Sequence, residues 1–135
     1  MATRFSAGNA VRTRFSILVS GVPMNVAIIA GQVLSKPNER RLESGDYATA
    51  FDVVTEGEEG RLTVPVNWIT TVRALVSEGD EILVVGKVRR RFFQAAGHVQ
   101  SRTELLAETV VAMRRRVAVR KAIEAAIRTI HAEQG

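Results

Sequence analysis

The chain contains no cysteine. Disulfides, thiolate nucleophiles and cysteine-ligated zinc are therefore excluded. Histidine is scarce as well. His98 falls in a predicted hairpin loop and His131 near the end of a predicted helix. Neither has a partner at a spacing suited to a metal or a general base. No Gly-rich phosphate loop and no nucleophile motif occurs. The carboxylates sit in loops or alternate along a strand, where solvation accounts for them. Neither an enzyme nor a bound cofactor is expected. Aromatic residues make up only 5% of the chain, so any surface that works by stacking has few platforms. No apolar run approaches the ~20 residues of a membrane span. The early apolar piece FSILVSGV is short, is broken by Ser20 and Gly21, and is not followed by a small-residue cleavage site. A secretory signal is therefore not expected, and a cytoplasmic, nucleoid-associated location is.

What is present fits one globular domain with room for a tail. The chain has 135 residues, 46% hydrophobic and 24% charged. The net charge is +5 and the sequence pI about 10.7, but its distribution matters more. Before Met24 there are three arginines and no acids. Between Met24 and Met113 there are ten Lys and Arg against twelve Asp and Glu. From Arg114 onward there are six basic and two acidic residues. The basic excess lies at the two ends. A phosphate-binding surface on the central domain must therefore be local.

One stretch concentrates that local charge: Glu81 to Phe93, EILVVGKVRRRFF. Read as a strand, it points successive side chains to opposite faces. Leu83, Val85, Lys87, Arg89, Arg91 and Phe93 share one face. Ile82, Val84, Gly86, Val88, Arg90 and Phe92 share the other. The first face ends in cations and an aromatic aimed the same way, which suits a chain of phosphates and flat bases. The competing reading is an ordinary strand with solvated arginines and core phenylalanines, Phe92 being the better core candidate.

The elements around it follow from periodicity and turn residues. Residues 1–23 read as a flexible extension, with a short strand at Phe15–Ser20 and an alternative start at Met24. Asn25 to Leu34 is a buried strand in which Gly31 signals a bend or a close backbone approach. Lys36 to Ser44 is charged and leads to the turn Ser44-Gly45-Asp46. Tyr47 to Thr55 is the second strand, with Ala48, Ala50 and Val53/Val54 toward the core and Tyr47 and Phe51 on the other parity. Leu62 to Ile69 is the third, with Val64, Val66 and Trp68 on one face. Its Pro65 lacks a ladder donor and marks an edge or a bulge. Thr70 to Val76 is at most a short helical connector. After the long fourth strand, Ala95-Ala96-Gly97-His98 forms a hairpin loop. Val99 to Met113 returns as the fifth strand, Thr103, Leu105, Ala107, Thr109 and Val111 alternating with Glu104, Leu106, Glu108 and Val110. From Arg114 the spacing of Val119, Ile123, Ala126, Ile127 and Ile130 becomes helical. Arg116, Arg120, Lys121, Glu124 and Arg128 take the other side, with Glu124 and Arg128 as an i,i+4 pair. This helix is expected to dock on the domain or another subunit, or to touch phosphates. The pattern predicts an all-β fold: a five-stranded OB-type Greek-key barrel over residues 24–113, with a basic amphipathic C-terminal helix over 114–135.

Asn25-Val26, Gly31-Gln32-Val33, Lys36-Pro37, Arg40, Ser44-Gly45, Ala50-Phe51, Val66-Asn67-Trp68, Glu78-Gly79-Asp80, Val84 through Arg89, Arg91, Phe93 and Gly97 occur in an order and spacing that resemble the bacterial single-stranded DNA-binding protein family. The likeness runs from about Asn25 to Ala112, roughly two thirds of the chain. It implies an OB-fold that assembles as a homotetramer or homodimer and wraps single-stranded DNA. It also implies DNA contacts at Trp68, Arg89, Arg91 and Phe93, and Lys87 joins them from the alternation above. Bases would stack on Trp68 and Phe93, and Lys87, Arg89 and Arg91 would neutralise phosphates. The departures point to a divergent or accessory relative. Leu62 stands where the family has a tryptophan, and the loop after the second strand and the connector are short. The family's Gly- and Pro-rich linker and acidic tip are replaced by a basic helix and HAEQG, so recruitment of partners by an acidic tail is not expected.

Two functions therefore compete. One is sequence-tolerant binding of single-stranded DNA in replication, repair or recombination. The other is an OB-fold protein-interaction subunit, a primosome-like accessory with weak nucleic-acid binding. Exposure of Trp68 and Phe93 on one face would separate them. RNA is not distinguished from DNA by such a surface.

Overall fold

The computed structural model describes residues 24–134. The expected extension at 1–23, with its candidate strand at Phe15–Ser20, lies outside the described residues. The described residues are mostly β, followed by one long helix. β1 spans Ala27–Val33, β2 Asn38–Arg41, β3 Tyr47–Gly57, β4 Gly60–Thr70, β5 Glu81–Ala95 and β6 His98–Ala112. The helix, α1, spans Arg116–Gln134. It is not long and apolar enough to cross a membrane.

The sheet closes on itself. Its order is β1-β5-β6-β4-β3-β2, and β1 also pairs with β3. All pairings are antiparallel except β4 with β6, which is parallel. Two short seams complete the closure. Gln32 and Val33 pair with Val54 and Val53 at one, and Val66–Trp68 pair with Leu105–Ala107 at the other. Gly31 permits the first seam. A Cβ there would strike the Val54 carbonyl and come within 2.8 Å of a Val53 methyl. The Thr55 hydroxyl ties the same place by donating to the Ala30 carbonyl at 2.8 Å. The close approach expected at Gly31 is thus observed.

Two apolar clusters lie on opposite faces of the closed sheet. The inner one contains Val33, Phe51, Val53, Val66, Ile82, Val84, Leu105 and Ala107. Its β-branched members fit a pleated, buried surface, and each fully buried valine contributes about 1.5–3 kcal/mol by burial. The outer one joins Leu83 and Val85 to Ala126 of α1, with Val111, Met113, Val119, Ala122 and Ile123 around it. The central run Ile82–Gly86 is buried throughout because one face meets the core and the other meets the helix. That explains an apolar run without alternation.

Several expectations are corrected. Phe51 shares the inner face with Val53 instead of opposing it, and Ala48 is buried on the other side of β3. A sixth strand, β2, forms in the charged stretch before Ser44-Gly45-Asp46, where no strand was expected, pairing with β3 from Asn38↔Ala50 to Arg41↔Tyr47. No helix forms at Thr70–Val76. The segment bends, leaving Val72 and Leu75 exposed while Val76 packs on the core. The alternation of β6 breaks at Glu108, where Val85 pairs with Thr109 but Gly86 pairs with Ala107. This bulge lets Leu105, Ala107 and Val110 face inward while Val111 faces α1. Pro65 sits just before the parallel seam, where β4 has only β3 beside it among the described pairings. Along α1, Val119, Ala122, Ile123 and Ala126 dock, and Ile127 remains exposed.

Candidate nucleic-acid interface

Beyond the closed sheet, β5 and β6 continue as a two-stranded arm. β1 pairs with β5 only as far as Gly86, and β4 pairs with β6 only at Leu105–Ala107. From Lys87 to Ala95 and from His98 to Leu106 the two strands pair with each other. A two-residue turn, Ala96-Gly97, joins them with both residues at positive φ, 53° and 80°. That is the backbone a tight antiparallel hairpin requires. The Asn25 side chain braces the root. Its amide donates to the Val88 carbonyl at 2.7 Å, and its carbonyl accepts from the Val88 N–H at 2.9 Å. It thereby acts as one more backbone partner beyond the end of β1.

The register assigns the faces of the arm. Lys87, Arg89, Arg91 and Phe93 pair with Leu106, Glu104, Arg102 and Gln100. They continue the β5 face that carries Leu83 and Val85 toward α1. Val88, Arg90 and Phe92 lie on the opposite face, paired with Leu105, Thr103 and Ser101. The alternation expected from sequence is kept, because the bulge lies in β6. Lys87 is exposed, and Arg91 and Phe93 are half-buried. Phe92 is 67% exposed, so it is not the core residue expected of it. It projects from a strand with no apolar layer beneath it.

Arg89 has a structural partner. Its Nε and Nη2 both donate to Oε2 of Glu104 at 2.8 Å. The Glu104 side chain is 1% exposed, against 35% for Arg89. Arg102 approaches the other carboxylate oxygen at 4.0 Å. Glu104 is therefore a buried, compensated carboxylate and not one of the solvated acids expected. Arg90 donates from Nε to the Ser101 hydroxyl at 3.2 Å. Lys87 and Arg91 have no carboxylate partner among the described residues.

Trp68 lies elsewhere. It pairs with Thr49 and Ala107, packs against the inner cluster and is half-buried. With Leu75, Val76, Ile82 and Val110 it lines a cavity of about 250 Å³ at one end of the sheet. The register thus sets Trp68 and Phe93 on opposite faces. The structure brings Lys87, Arg89, Arg91 and Phe93 together and leaves Trp68 apart.

A second group of cations and an aromatic ring was not anticipated. The guanidinium groups of Arg41 and Arg73 lie 5.2 Å and 5.8 Å from the Tyr47 ring centre, within cation–π range. Arg73 also bridges to Glu39 at 3.0 Å. The signal available in the sequence was only a tyrosine opening a strand after a pair of arginines. Two buried polar atoms, Thr49 Oγ1 and Asn67 Oδ1, have no hydrogen-bond partner among the described residues.

No family model matches the chain, and no curated protein matches it.

Proposed function

We propose that the protein binds single-stranded nucleic acid without base preference, using the β5–β6 arm. The carrying observation is the arm itself: a half-buried Phe93 on the same face as Lys87 and Arg91, which have no carboxylate partner among the described residues, and an exposed Phe92 on the opposite face of the ribbon. Exposed aromatics offer a face to any base, at about 1–3 kcal/mol per stacked base, and cations beside them follow the phosphates. The closed order β1-β3-β4-β6-β5, with β4 and β6 parallel, supports reading the domain as an OB-fold barrel. Within this proposal, Lys87, Arg91 and Phe93 act as expected from sequence, and Phe92 adds a stacking platform on the opposite face of the ribbon. Arg89 contributes mainly by holding β5 to β6, and Trp68 contributes only from its exposed edge. Single-stranded DNA in replication, repair or recombination is the proposed setting, with self-assembly to a dimer or tetramer.

The test is titration of labelled oligo-dT, followed by anisotropy and by fluorescence of the sole tryptophan at two salt concentrations. Binding that weakens steeply as salt rises supports the proposal. Absence of binding at low salt rejects it. Binding without quenching keeps the arm and removes Trp68 from the site. Half-burial of Trp68, and its separation from Phe93, favour the second reading, a protein-interaction subunit. That reading gains if the arm binds no oligonucleotide.

A further inference from the structure

The outer face of β5 does not end at the arm. Leu83 and Val85 on that face pack under α1, and Lys87, Arg89, Arg91 and Phe93 continue it outward. Lys87 lines one cleft with Ala126 and Thr129 of the C-terminal half of α1. The chain reverses at Arg114-Arg115, where the Arg115 N–H donates to the Ala112 carbonyl. α1 then runs back over the sheet toward the root of the arm.

The solvent side of this helix is strongly basic. Arg114, Arg115, Arg116, Arg120, Lys121 and Arg128 are all exposed. None forms an ion pair with a carboxylate among the described residues, and the pair expected between Glu124 and Arg128 is absent. Among the described side chains, the acids near this group are Glu124 on the helix, Glu108, which lines the cleft beside Lys87, and Asp80 and Glu81, which line a cavity with Arg114. The charge also opposes the helix's own field. The first turn holds no acid, and Arg115 and Arg116 sit at its positive end. Cations there are unfavourable. Docking does not require these charges, because the buried contacts are Val119, Ala122, Ile123 and Ala126.

We propose that the exposed face of α1 is a second phosphate-binding surface continuous with the arm. A single strand that crosses Lys87 and Arg91 runs on past Arg128, Lys121, Arg120 and Arg116. Four cations along the helix span about 18 Å at 1.5 Å per residue. The helix adds mainly charge contacts, since it carries no Phe, Tyr or Trp. This inference rests on the proposal that the arm binds nucleic acid.

The test compares wild type with Arg116→Gln/Arg120→Gln/Lys121→Gln/Arg128→Gln on labelled oligo-dT of about 8 and about 30 nucleotides, the first within the range of one OB-domain site and the second well beyond it. On the long oligonucleotide the variant is expected to lose at least about tenfold in affinity at 50 mM salt. Its slope of log K against log salt is expected to be shallower by about 0.7 per lost contact, up to about 3. The short oligonucleotide is expected to bind both proteins alike. Lysine at Arg116, Arg120 and Arg128 is expected to keep the steep slope. Circular dichroism and the melting midpoint report folding independently, since all four positions are exposed. If wild type binds the long oligonucleotide and the folded glutamine variant shows the same slope, α1 is not part of the track and the inference fails alone. If wild type binds neither oligonucleotide, the reading of the arm fails with it.

Discussion

Arg89→Ala tests whether the Arg89–Glu104 pair belongs to the fold or to the ligand. The Glu104 side chain is 1% exposed and receives two hydrogen bonds from Arg89 at 2.8 Å. Removing one partner of a buried pair costs about 3–5 kcal/mol, because the other charge stays buried. Two features lower that figure here. Arg89 is 35% exposed, so part of its attraction is screened, and Arg102 stands 4.0 Å from the second oxygen and can move closer. The expected loss is therefore about 2–3 kcal/mol. Urea unfolding followed by far-ultraviolet circular dichroism measures it, as a fall in midpoint of roughly 1–3 M for a slope of about 1–2 kcal/mol/M. A companion, Arg89→Ala/Glu104→Leu, removes both charges and is expected to recover most of the loss. If Arg89→Ala remains within about 0.5 kcal/mol of wild type, the reasoning is refuted, and Arg89 is then free to serve as a phosphate contact. Until stability is measured, weaker DNA binding by an Arg89 variant cannot be assigned to a lost contact.

Gly31→Ala is expected to cost about 1–3 kcal/mol or more, because its Cβ would collide with the Val54 carbonyl; a change below 0.5 kcal/mol in urea unfolding would show that the seam yields freely. Ala96→Asn replaces a residue at φ 53° with one suited to that conformation and is expected to stabilise the arm by about 0.5–1 kcal/mol. Hydrogen exchange across Gln94–Val99 measures this, and faster exchange would contradict it. Phe92→Ala is expected to leave the melting midpoint nearly unchanged, because Phe92 is 67% exposed. Oligo-dT affinity should fall by about 1–3 kcal/mol, and unchanged affinity would remove Phe92 from the binding surface.

Much of this arrangement was legible in the sequence. The runs of Val and Ile located β1 and β5, and Gly97 located the turn of the arm. The faces of β5 followed from alternation because no bulge interrupts that strand. The β6 pattern failed at Glu108 because a bulge changes parity without any local signature such as glycine. Phe92 misled because a large aromatic in a strand is usually buried, and nothing local says that the strand has outrun its domain. That depends on where β1 and β4 stop pairing, which is set by elements distant in the chain. Glu104 was taken for a solvated acid for the same reason. Its partner lies fifteen residues away, across a register that composition does not reveal. The lack of a helix after Thr70 has no evident sequence cause.

The two seams carry a kinetic consequence. β3 with β4, and β5 with β6, are hairpins of neighbouring strands, and such local pairs form within microseconds. The seams instead join residues about 20 and about 40 positions apart, and β1 meets β5 across about 50 to 60, so their loop-closure entropy is lost before the inner cluster gives anything back. The seams are also short, with two and three residue pairs, and neither has much to hold it until the other has formed. Closure is thus the concerted step of folding, and the sole tryptophan stands in the longer seam. Its emission is a built-in clock for the moment at which the sheet becomes a ring.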